Sequence, residues 1–361
     1  MESTDFLQIG FTTSSLLETS VSTLNASLNG TTEGPPWVFD DINQRIVVAA
    51  LLFVIAVFGL TGNILTIVAV ILSKKLHTIA NVFVVNLTIA GGLSCATLPF
   101  TIANMIANTD KGIIPDGLCT FVSLMSYFSF SGTIVSHALI AFDRYYRITK
   151  PCHKYHKMFT KCRITIFIIC AWIYANISVL FAIITNVNIM YSQKYRVCLP
   201  DIVDPDVAKV SLFRATTIDL FILILVMICY TAMFIYIYRH NKKLLGMFNV
   251  SKTEGVNLRT TLNARQVKIT MNMFLVVAVY VVCITPYVVC LIVDSLETIF
   301  PYVAVFYALS NAINPAIYAW KHPYFRAVFK PMIQLKCSKI PNPSPILKFF
   351  TGYESRRNRM W

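Results

Sequence analysis

The sequence predicts an all-α membrane protein, a bundle of seven transmembrane helices followed by a short amphipathic eighth helix. Of its 361 residues, 56% are hydrophobic and only 13% are charged, whereas about 25% are charged in a typical soluble domain. The mean hydropathy is +0.63. Long uncharged runs alternate with short basic runs, so the apolar residues form separate segments of membrane-crossing length.

The seven predicted spans follow from length and composition. A hydrocarbon core of roughly 30 Å needs about 20 helical residues. The stretches that meet this requirement lie near 45–72, 80–107, 117–143, 164–188, 208–238, 268–293 and 298–320. Pro99 and Pro315 interrupt the second and the seventh, which is tolerated because neighbouring helices satisfy the freed carbonyl groups.

The distribution of charge orients this bundle. With the amino terminus outside, 25 of the 31 Lys and Arg residues fall on the inner side, together with only three of the 17 acidic residues. Cytoplasmic loops are enriched in Lys and Arg in this way. The net charge of +14 therefore faces anionic lipid and cytoplasmic partners, and does not indicate nucleic-acid binding. We predict an extracellular tail (1–44), a bundle (45–320) and a cytoplasmic eighth helix with its tail (321–361), in the plasma membrane.

Outer-side residues predict two covalent modifications. The tail contains the acceptor sequons of Asn25 and Asn29, which are predicted to be glycosylated. Cys119 and Cys198 are the only cysteines on the oxidising side, so we expect one disulfide between them, worth about 4 kcal/mol in the loop-entropy model. Metal-ligand spacing and phosphate-binding loops are missing from the sequence, so we expect no metal, no cofactor and no enzymatic activity.

Five local motifs occur in order along the spans. They are Gly62-Asn63 in the first, Asp143-Arg144-Tyr145 at the end of the third, Trp172 in the fourth, Pro286 in the sixth and Asn314-Pro315-Ala316-Ile317-Tyr318 in the seventh. In order and spacing they resemble the motifs of rhodopsin-like (class A) G-protein-coupled receptors, over nearly the whole membrane region. The run 80–87 is also similar to melatonin-type receptors, although those generally differ at the third-span and seventh-span motifs.

The resemblance implies a receptor that couples to heterotrimeric G proteins and to arrestin. The residues that it assigns to coupling and switching are Asp143, Arg144, Tyr145, Tyr230, Asn314, Pro315 and Tyr318. It also implies that His322–Gln334 lies along the inner leaflet as the eighth helix, and that Cys337 is palmitoylated. Independently, an arginine at a membrane edge needs a partner, which Asp143 offers to Arg144. An ordinary interfacial ion pair is the alternative interpretation.

Five positions depart from the family pattern, one of which is Ile222 in place of the usual proline of the fifth span. Gly91 occupies the position of the aspartate that binds sodium in the family, and Ile284 occupies the position of the switch tryptophan. Gln266 replaces the acidic residue that often pairs with the arginine of the third-span motif. His137 stands where leucine is usual, and we expect a neutral imidazole that is hydrogen-bonded to a helix neighbour. These departures predict the absence of sodium allostery and appreciable ligand-independent signalling.

Ligands of the family bind in the outer half of the bundle. Ala308 occupies the position of the lysine that binds retinal in opsins, so a retinal ligand is not expected. Ser126 occupies the position of the aspartate that pairs with the ligand in amine receptors, so a charge-paired amine is not expected either. The candidate lining residues are mostly aromatic or aliphatic, as in most small-molecule pockets: Ser126, Tyr127, Phe130, Arg214, Asp219, Ile284, Tyr287, Leu291 and Ala308. Arg214 either pairs with an anionic ligand group or extends to the headgroups, and a salt bridge between Arg214 and Asp219 is not favoured.

Other functions remain open at this point. The acidic residues of the outer loops are compatible with a basic peptide as the ligand. The altered switch motifs are compatible with a receptor-fold protein that signals constitutively or acts as a scaffold. A membrane transporter would need internal repeats and several midplane charges. The sequence contains no such repeat and one deeply placed charge, so the transporter is the remote alternative.

Overall fold

The computed structural model describes most of the chain from the first span onwards. It covers residues 39, 41–109, 112–184, 188–192, 194–201, 205–248 and 254–351. The predicted glycan acceptors Asn25 and Asn29 lie outside these residues. The side chains of Arg214, Gln266 and Leu291 also lie outside the described part, although their backbone belongs to helices.

Helices dominate the described residues. They are α1 (Ile42–Leu72), α2 (Ile79–Ile106), α3 (Asp116–Thr149), α4 (Cys152–Met158), α5 (Lys161–Ile184), α6 (Pro205–Phe248), α7 (Glu254–Ile292), α8 (Phe300–Ala312), α9 (Asn314–Lys321), α10 (Pro323–Ile333) and α11 (Pro345–Thr351). Two antiparallel strands, β1 (Asn188–Ser192) and β2 (Val197–Asp201), form a hairpin between α5 and α6. Short 3-10 turns cover Lys74–Leu76, Asp294–Ile299 and Cys337–Lys339.

The predicted spans correspond to these helices. Segments of α1, α2, α3, α6 and α7 are each long and apolar enough to cross a membrane. Helix α5 meets the same test when it is taken together with the short α4 before it, from which it is bent by 55°. The seventh span is divided at Ile313 into α8 and α9, of 13 and 8 residues. Pro315 at the start of α9 lacks an amide proton, so the helical hydrogen-bond pattern is interrupted there.

Small residues allow the central helices to pack closely. A Cβ atom added to Gly59 of α1 would lie 2.7 Å from the Cβ of Ala312 in α8, and 2.5 Å from Sγ of Cys95 in α2. Helices in lipid associate mainly through such close packing of small residues. A second cluster, which includes Phe83, Tyr318 and Phe325, forms an apolar core at the end of the bundle that is predicted to be cytoplasmic.

The hairpin lies at the outer end of the bundle and is fixed there by side chains. The predicted disulfide is present, since Cys119 of α3 is bonded to Cys198 of β2. The amide of Asn104 donates a hydrogen bond to Sγ of Cys198 at 3.3 Å. The carbonyl of Ala107 accepts hydrogen bonds from the buried guanidinium groups of Arg45 and Arg196, both at 3.2 Å. The hairpin, α1 and α2 are therefore held together at this end.

The predicted eighth helix is α10, and its apolar face packs on the bundle. Phe325 and Phe329 are buried, and the ring of Phe325 stacks on that of Tyr318 at 5.4 Å. Cys337, the predicted palmitoylation site, is half-buried against the same cluster. Beyond α10 the chain reverses direction, and residues 335–351 pack on the loop between α1 and α2. We call this segment the strap.

Candidate functional site

The outer half of the bundle contains a row of five aromatic rings, each in contact with the next, which we call the aromatic ladder. Its members are Tyr195, Phe300, Tyr287, Tyr307 and Phe130, and successive ring centroids lie 4.9, 5.5, 5.0 and 5.9 Å apart. The ladder runs from the hairpin turn to the middle of α3. Offset-stacked and edge-to-face rings at such distances attract one another beyond their buried area.

Most of the described pocket candidates surround this ladder. Phe130 and Tyr287 belong to it, and Ile284 is buried in the same apolar cluster. Ala308 is buried on α8, next to Tyr307. Ser126 lies in the third span, where its hydroxyl donates a hydrogen bond to the carbonyl of Val122 at 3.0 Å. The same hydroxyl lies 3.4 Å from the hydroxyl of Thr97. The side chains of Arg214 and Leu291 are not described, so their place in the pocket stays a prediction.

Asp219 has a partner that sequence reasoning missed. The hydroxyl of Tyr174, on α5, donates a hydrogen bond to Oδ1 of Asp219 on α6 at 2.6 Å. A hydrogen bond to a charged acceptor this short is among the stronger ones in proteins. The carboxylate is buried, and this hydrogen bond joins α5 to α6. Because Tyr174 lies 45 residues away in sequence, no local pattern pointed to this pair.

The centre of the bundle explains what the glycine at position 91 does. A Cβ atom on Gly91 would lie 2.9 Å from the backbone oxygen of Asn311. That same oxygen accepts from the amide of Asn63 at 3.2 Å, and the side-chain oxygen of Asn311 accepts from the hydroxyl of Thr133 at 3.2 Å. Helix α8 therefore packs directly on α2 at the position where the family pattern has a carboxylate.

The His137 side chain differs from its prediction. It is buried on α3 and its ring lies 4.5 Å from that of Tyr280. Among the described residues, neither ring nitrogen has a hydrogen-bond partner, and neither does the hydroxyl of Tyr280. The expected hydrogen bond to a helix neighbour is therefore wrong. An aromatic contact between α3 and α7 takes its place.

The predicted ion pair at the inner end of α3 is present and belongs to a larger network. Nε of Arg144 lies 3.4 Å from Oδ2 of Asp143, whose side chain is 1% exposed. The hydroxyl of Tyr155 in α4 donates to Oδ1 of Asp143 at 2.7 Å and accepts from Arg147 at 2.7 Å. Burial, and then the charge and hydrogen bond of Asp143, raise the pKa of Tyr155 well above its usual range. Sequence reasoning missed Tyr155, since a lone tyrosine in a basic loop carries no signal.

Arg144 also borders a cavity of about 160 Å³ at the predicted cytoplasmic end. Its lining includes Asn81, Arg144, Arg147, Ile269, His322 and Tyr324. Nδ1 of His322 accepts from the amide of Phe325 at 3.5 Å, which caps α10. Burial and the positive charge of Arg144 lower the pKa of His322 to about 4, so the imidazole is neutral at cellular pH.

Several of the other predicted switch residues have polar groups that are not paired within the described structure. The hydroxyls of Tyr230 and Tyr318 and both amide atoms of Asn314 are buried without a hydrogen-bond partner there. Pro315 is buried next to Asn314, while Tyr145 packs in a separate cluster with Tyr230. An unpaired buried polar group costs about 1–3 kcal/mol. A rearrangement that pairs these groups would recover part of that free energy.

Comparison with known proteins is consistent with this architecture. The family model described as 7 transmembrane receptor (rhodopsin family) matches residues 62–318. The crystal structure of squid rhodopsin is similar to this chain with a TM-score of 0.73 and 18% sequence identity, over 85% of this chain and 90% of that chain. At this identity the match shows a shared fold.

Neither comparison bears out the resemblance to melatonin-type receptors, which stays a prediction. The family match begins at the first-span motif Gly62-Asn63 and ends at Tyr318, so it contains every switch motif described above. The chain therefore belongs to the rhodopsin family of G-protein-coupled receptors, whose members are receptors rather than enzymes.

Proposed function

We propose that this receptor lies in the plasma membrane with its amino terminus outside, and activates heterotrimeric G proteins when a small, largely apolar ligand binds in the outer half. The observation that carries the proposal is the buried network of Asp143, Arg144, Tyr155 and Arg147 beside a cytoplasmic cavity. The cationic side chain of Arg144 beside this cavity supports the proposal, as a contact for the signalling partner.

The chemistry of the ligand follows from the aromatic ladder. Its rings offer apolar and stacking contacts, and polar groups are few, as in most small-molecule sites. Among the described residues, the polar anchors are the hydroxyls of Ser126 and of the ladder tyrosines, together with the pair of Tyr174 and Asp219. Arg214 adds an anion-binding group if its side chain enters the pocket. A basic peptide attracted by the outer acidic residues is the second candidate.

We further propose appreciable basal signalling. Among the described side chains, the only ion pair of Arg144 is with its neighbour Asp143, so no charged group holds it to another span. The hydroxyls of Tyr230 and Tyr318 are buried without a hydrogen-bond partner among the described residues, so this arrangement lacks part of its hydrogen bonding. A shift of 1.4 kcal/mol between two states changes their ratio about tenfold, so the loss of one restraint is enough to raise basal activity.

Two further expectations concern regulation. Because α8 closes on Gly91, we propose that sodium does not modulate agonist affinity. We also expect weak arrestin recruitment, since the tail offers few phosphorylation sites: Ser338, Ser344, Thr351 and Ser355. Of these, Ser344 is buried, and its hydroxyl caps α11.

Nucleotide exchange on purified G proteins, measured in membranes that contain the receptor, tests the proposal. We expect ligand-free exchange above that of receptor-free membranes, and its loss in Arg144→Ala. Arg163→Ala is the matched control, because Arg163 is an exposed arginine on the same side whose described contact is the carbonyl of Lys157. Restoring the family pattern with Gln266→Glu and His137→Leu should lower basal exchange.

The competing interpretations predict different results. A constitutive receptor keeps basal exchange but does not respond to small apolar molecules or basic peptides. A scaffold shows no exchange with any G protein, and Arg144→Ala then changes nothing. Unchanged basal exchange in Gln266→Glu and His137→Leu would contradict the explanation of basal activity while leaving the receptor function intact.

A further inference from the structure

The strap is attached to the first cytoplasmic loop by backbone and side-chain hydrogen bonds. The amide of Lys74 donates to the carbonyl of Asn342, and the amide of Ser344 donates to that of Leu72, both at 2.9 Å. The hydroxyl of Ser73 donates to the carbonyl of Pro341 at 2.7 Å. Ser73 and Pro343 form an antiparallel bridge at this point. The strap is therefore a folded element.

Apolar burial holds the strap in the same place. Ile340 and Leu347 are buried in the inner apolar cluster, together with Leu76 and Phe325. Leu335 begins the reversal after α10 with a φ of 55°, the left-handed conformation that commonly ends a helix. These contacts fix which side chains of the strap are left outside.

The side chains left outside are large and apolar. Ile333 at the end of α10 is 72% exposed, and Leu335 is 88% exposed. On α11, Ile346 is 50% and Phe349 83% exposed. Exposed apolar groups of this size on one short segment mark a contact surface. Helix α11 packs on α1, whose cytoplasmic end exposes Ile71 in the same way, so the apolar surface of the first span continues onto the strap.

The charge around these side chains has one sign. Residues 321–351 contain six Lys and Arg residues and no Asp or Glu. Lys336 and Lys339 are exposed and lie in the chain between the exposed Leu335 and Ile346. Apolar groups between basic side chains are typical of segments that lie in an anionic membrane surface, where the apolar side chains enter the interface and the lysines meet lipid phosphates.

We propose that the strap is a second lipid-binding element beyond the eighth helix, which inserts Leu335, Ile346 and Phe349 into a leaflet that contains anionic lipid. The hydrogen bonds to Ser73 and Lys74 then hold the first cytoplasmic loop at the membrane surface. The lipid bilayer is the partner that matches this surface, because the exposed apolar side chains of the strap continue the lipid-facing side of α1. The inference uses the cytoplasmic placement of this end but not G-protein activation.

Hydrogen–deuterium exchange of the full-length receptor in nanodiscs tests the proposal. One receptor is placed in each disc, of phosphatidylcholine alone or with three-tenths phosphatidylserine, after hydroxylamine has removed any acyl group from Cys337. We expect the amides of α11 to exchange at least about threefold more slowly with phosphatidylserine, because opening requires withdrawal from the charged interface. Both leaflets have the same composition, so the result does not depend on orientation or signalling.

The chain supplies a matched control in α4. This helix is also seven residues long, basic and outside the membrane core, but its exposed residues are His153, Lys154, His156 and Lys157 together with Cys152. Its exchange rate should be the same in both lipids. The double variant Ile346→Ser with Phe349→Ser should remove the lipid dependence of α11, whereas His153→Ser with Lys157→Ser should leave that dependence intact.

A second variant separates lipid binding from folding of the strap. Lys336→Ser with Lys339→Ser leaves the apolar contacts in place, and should keep the wild-type exchange rate in phosphatidylcholine while losing most of the slowing by phosphatidylserine. Equal exchange of α11 in the two lipids for the wild-type receptor would overturn the proposal. Persistence of the full lipid effect in either variant of the strap would do the same.

Discussion

Replacing Gly91 with alanine tests the close contact between α2 and α8 against an adjacent control. The new Cβ atom would lie 2.9 Å from the backbone oxygen of Asn311, which is shorter than a normal contact, so one backbone must move by a few tenths of an ångström. At Gly92 the nearest atom is Cβ of Asn63 at 3.7 Å, which is an ordinary contact. The two variants therefore differ in crowding but not in chemistry.

The size of the effect follows from two opposing terms. Alanine in place of glycine inside a helix gains about 1 kcal/mol of intrinsic helix propensity, and this gain applies to both variants. Overpacking of a close contact costs about 1–3 kcal/mol, and this cost applies to Gly91 alone. The propensity term cancels in the comparison, so Gly91→Ala should be less stable than Gly92→Ala by about 1–3 kcal/mol.

Thermal unfolding of the purified receptor in detergent measures this difference. A thiol-reactive dye reports unfolding because Cys95 and Cys283 are buried in the folded receptor. We expect the Tm of Gly91→Ala to lie about 3 °C or more below that of Gly92→Ala. Equal Tm values, or a more stable Gly91→Ala, would refute the close packing of α8 on α2 at this position.

Three further predictions test other parts of the structure. Tyr155→Phe removes two hydrogen bonds to charged groups, which are worth about 1.5–3 kcal/mol each, so this variant should have a lower Tm. Tyr146→Phe is the control, because it loses no described hydrogen bond and should keep the wild-type Tm. His322 has a pKa of about 4 in the fold against 6.5 when exposed, so its neutral form is favoured by folding and stability should be lost as pH falls from 6.5 towards 4. His322→Gln should flatten the fall in Tm over that range, and an unchanged pH profile would contradict the assignment. Endoglycosidase treatment should reduce the apparent mass of the receptor, and Asn25→Gln with Asn29→Gln should abolish this reduction.

The spans were predictable because their signal is strong and local. Charge-free apolar runs set their positions, and the helices found there differ from the predicted ranges mainly at their ends. Helix α3 was predicted over 117–143 but continues to Thr149, and α6 continues to Phe248. These extensions are polar, and hydropathy cannot detect a helix that leaves the membrane.

The contacts that complete the sites were not predictable from one sequence. Asp143 and Asp219 were both recognised, but their tyrosine partners lie on other helices, 12 and 45 residues away. The strap was missed for another reason. Its Pro341, Pro343 and Pro345 are typical of an irregular tail, and the element is stabilised by donors and acceptors of the distant Ser73 region rather than by its own periodicity.

The hairpin over the outer end has a consequence for the time scale of signalling. It is tied to α3 by a covalent bond at Cys198, to α2 through Asn104, and to the ladder through Tyr195. For a ligand that binds beneath the hairpin and leaves past it, opening of the hairpin would set the dissociation rate. Residence time would then depend on residues that never touch the ligand, and brief exposure to ligand would produce a response that outlasts the stimulus.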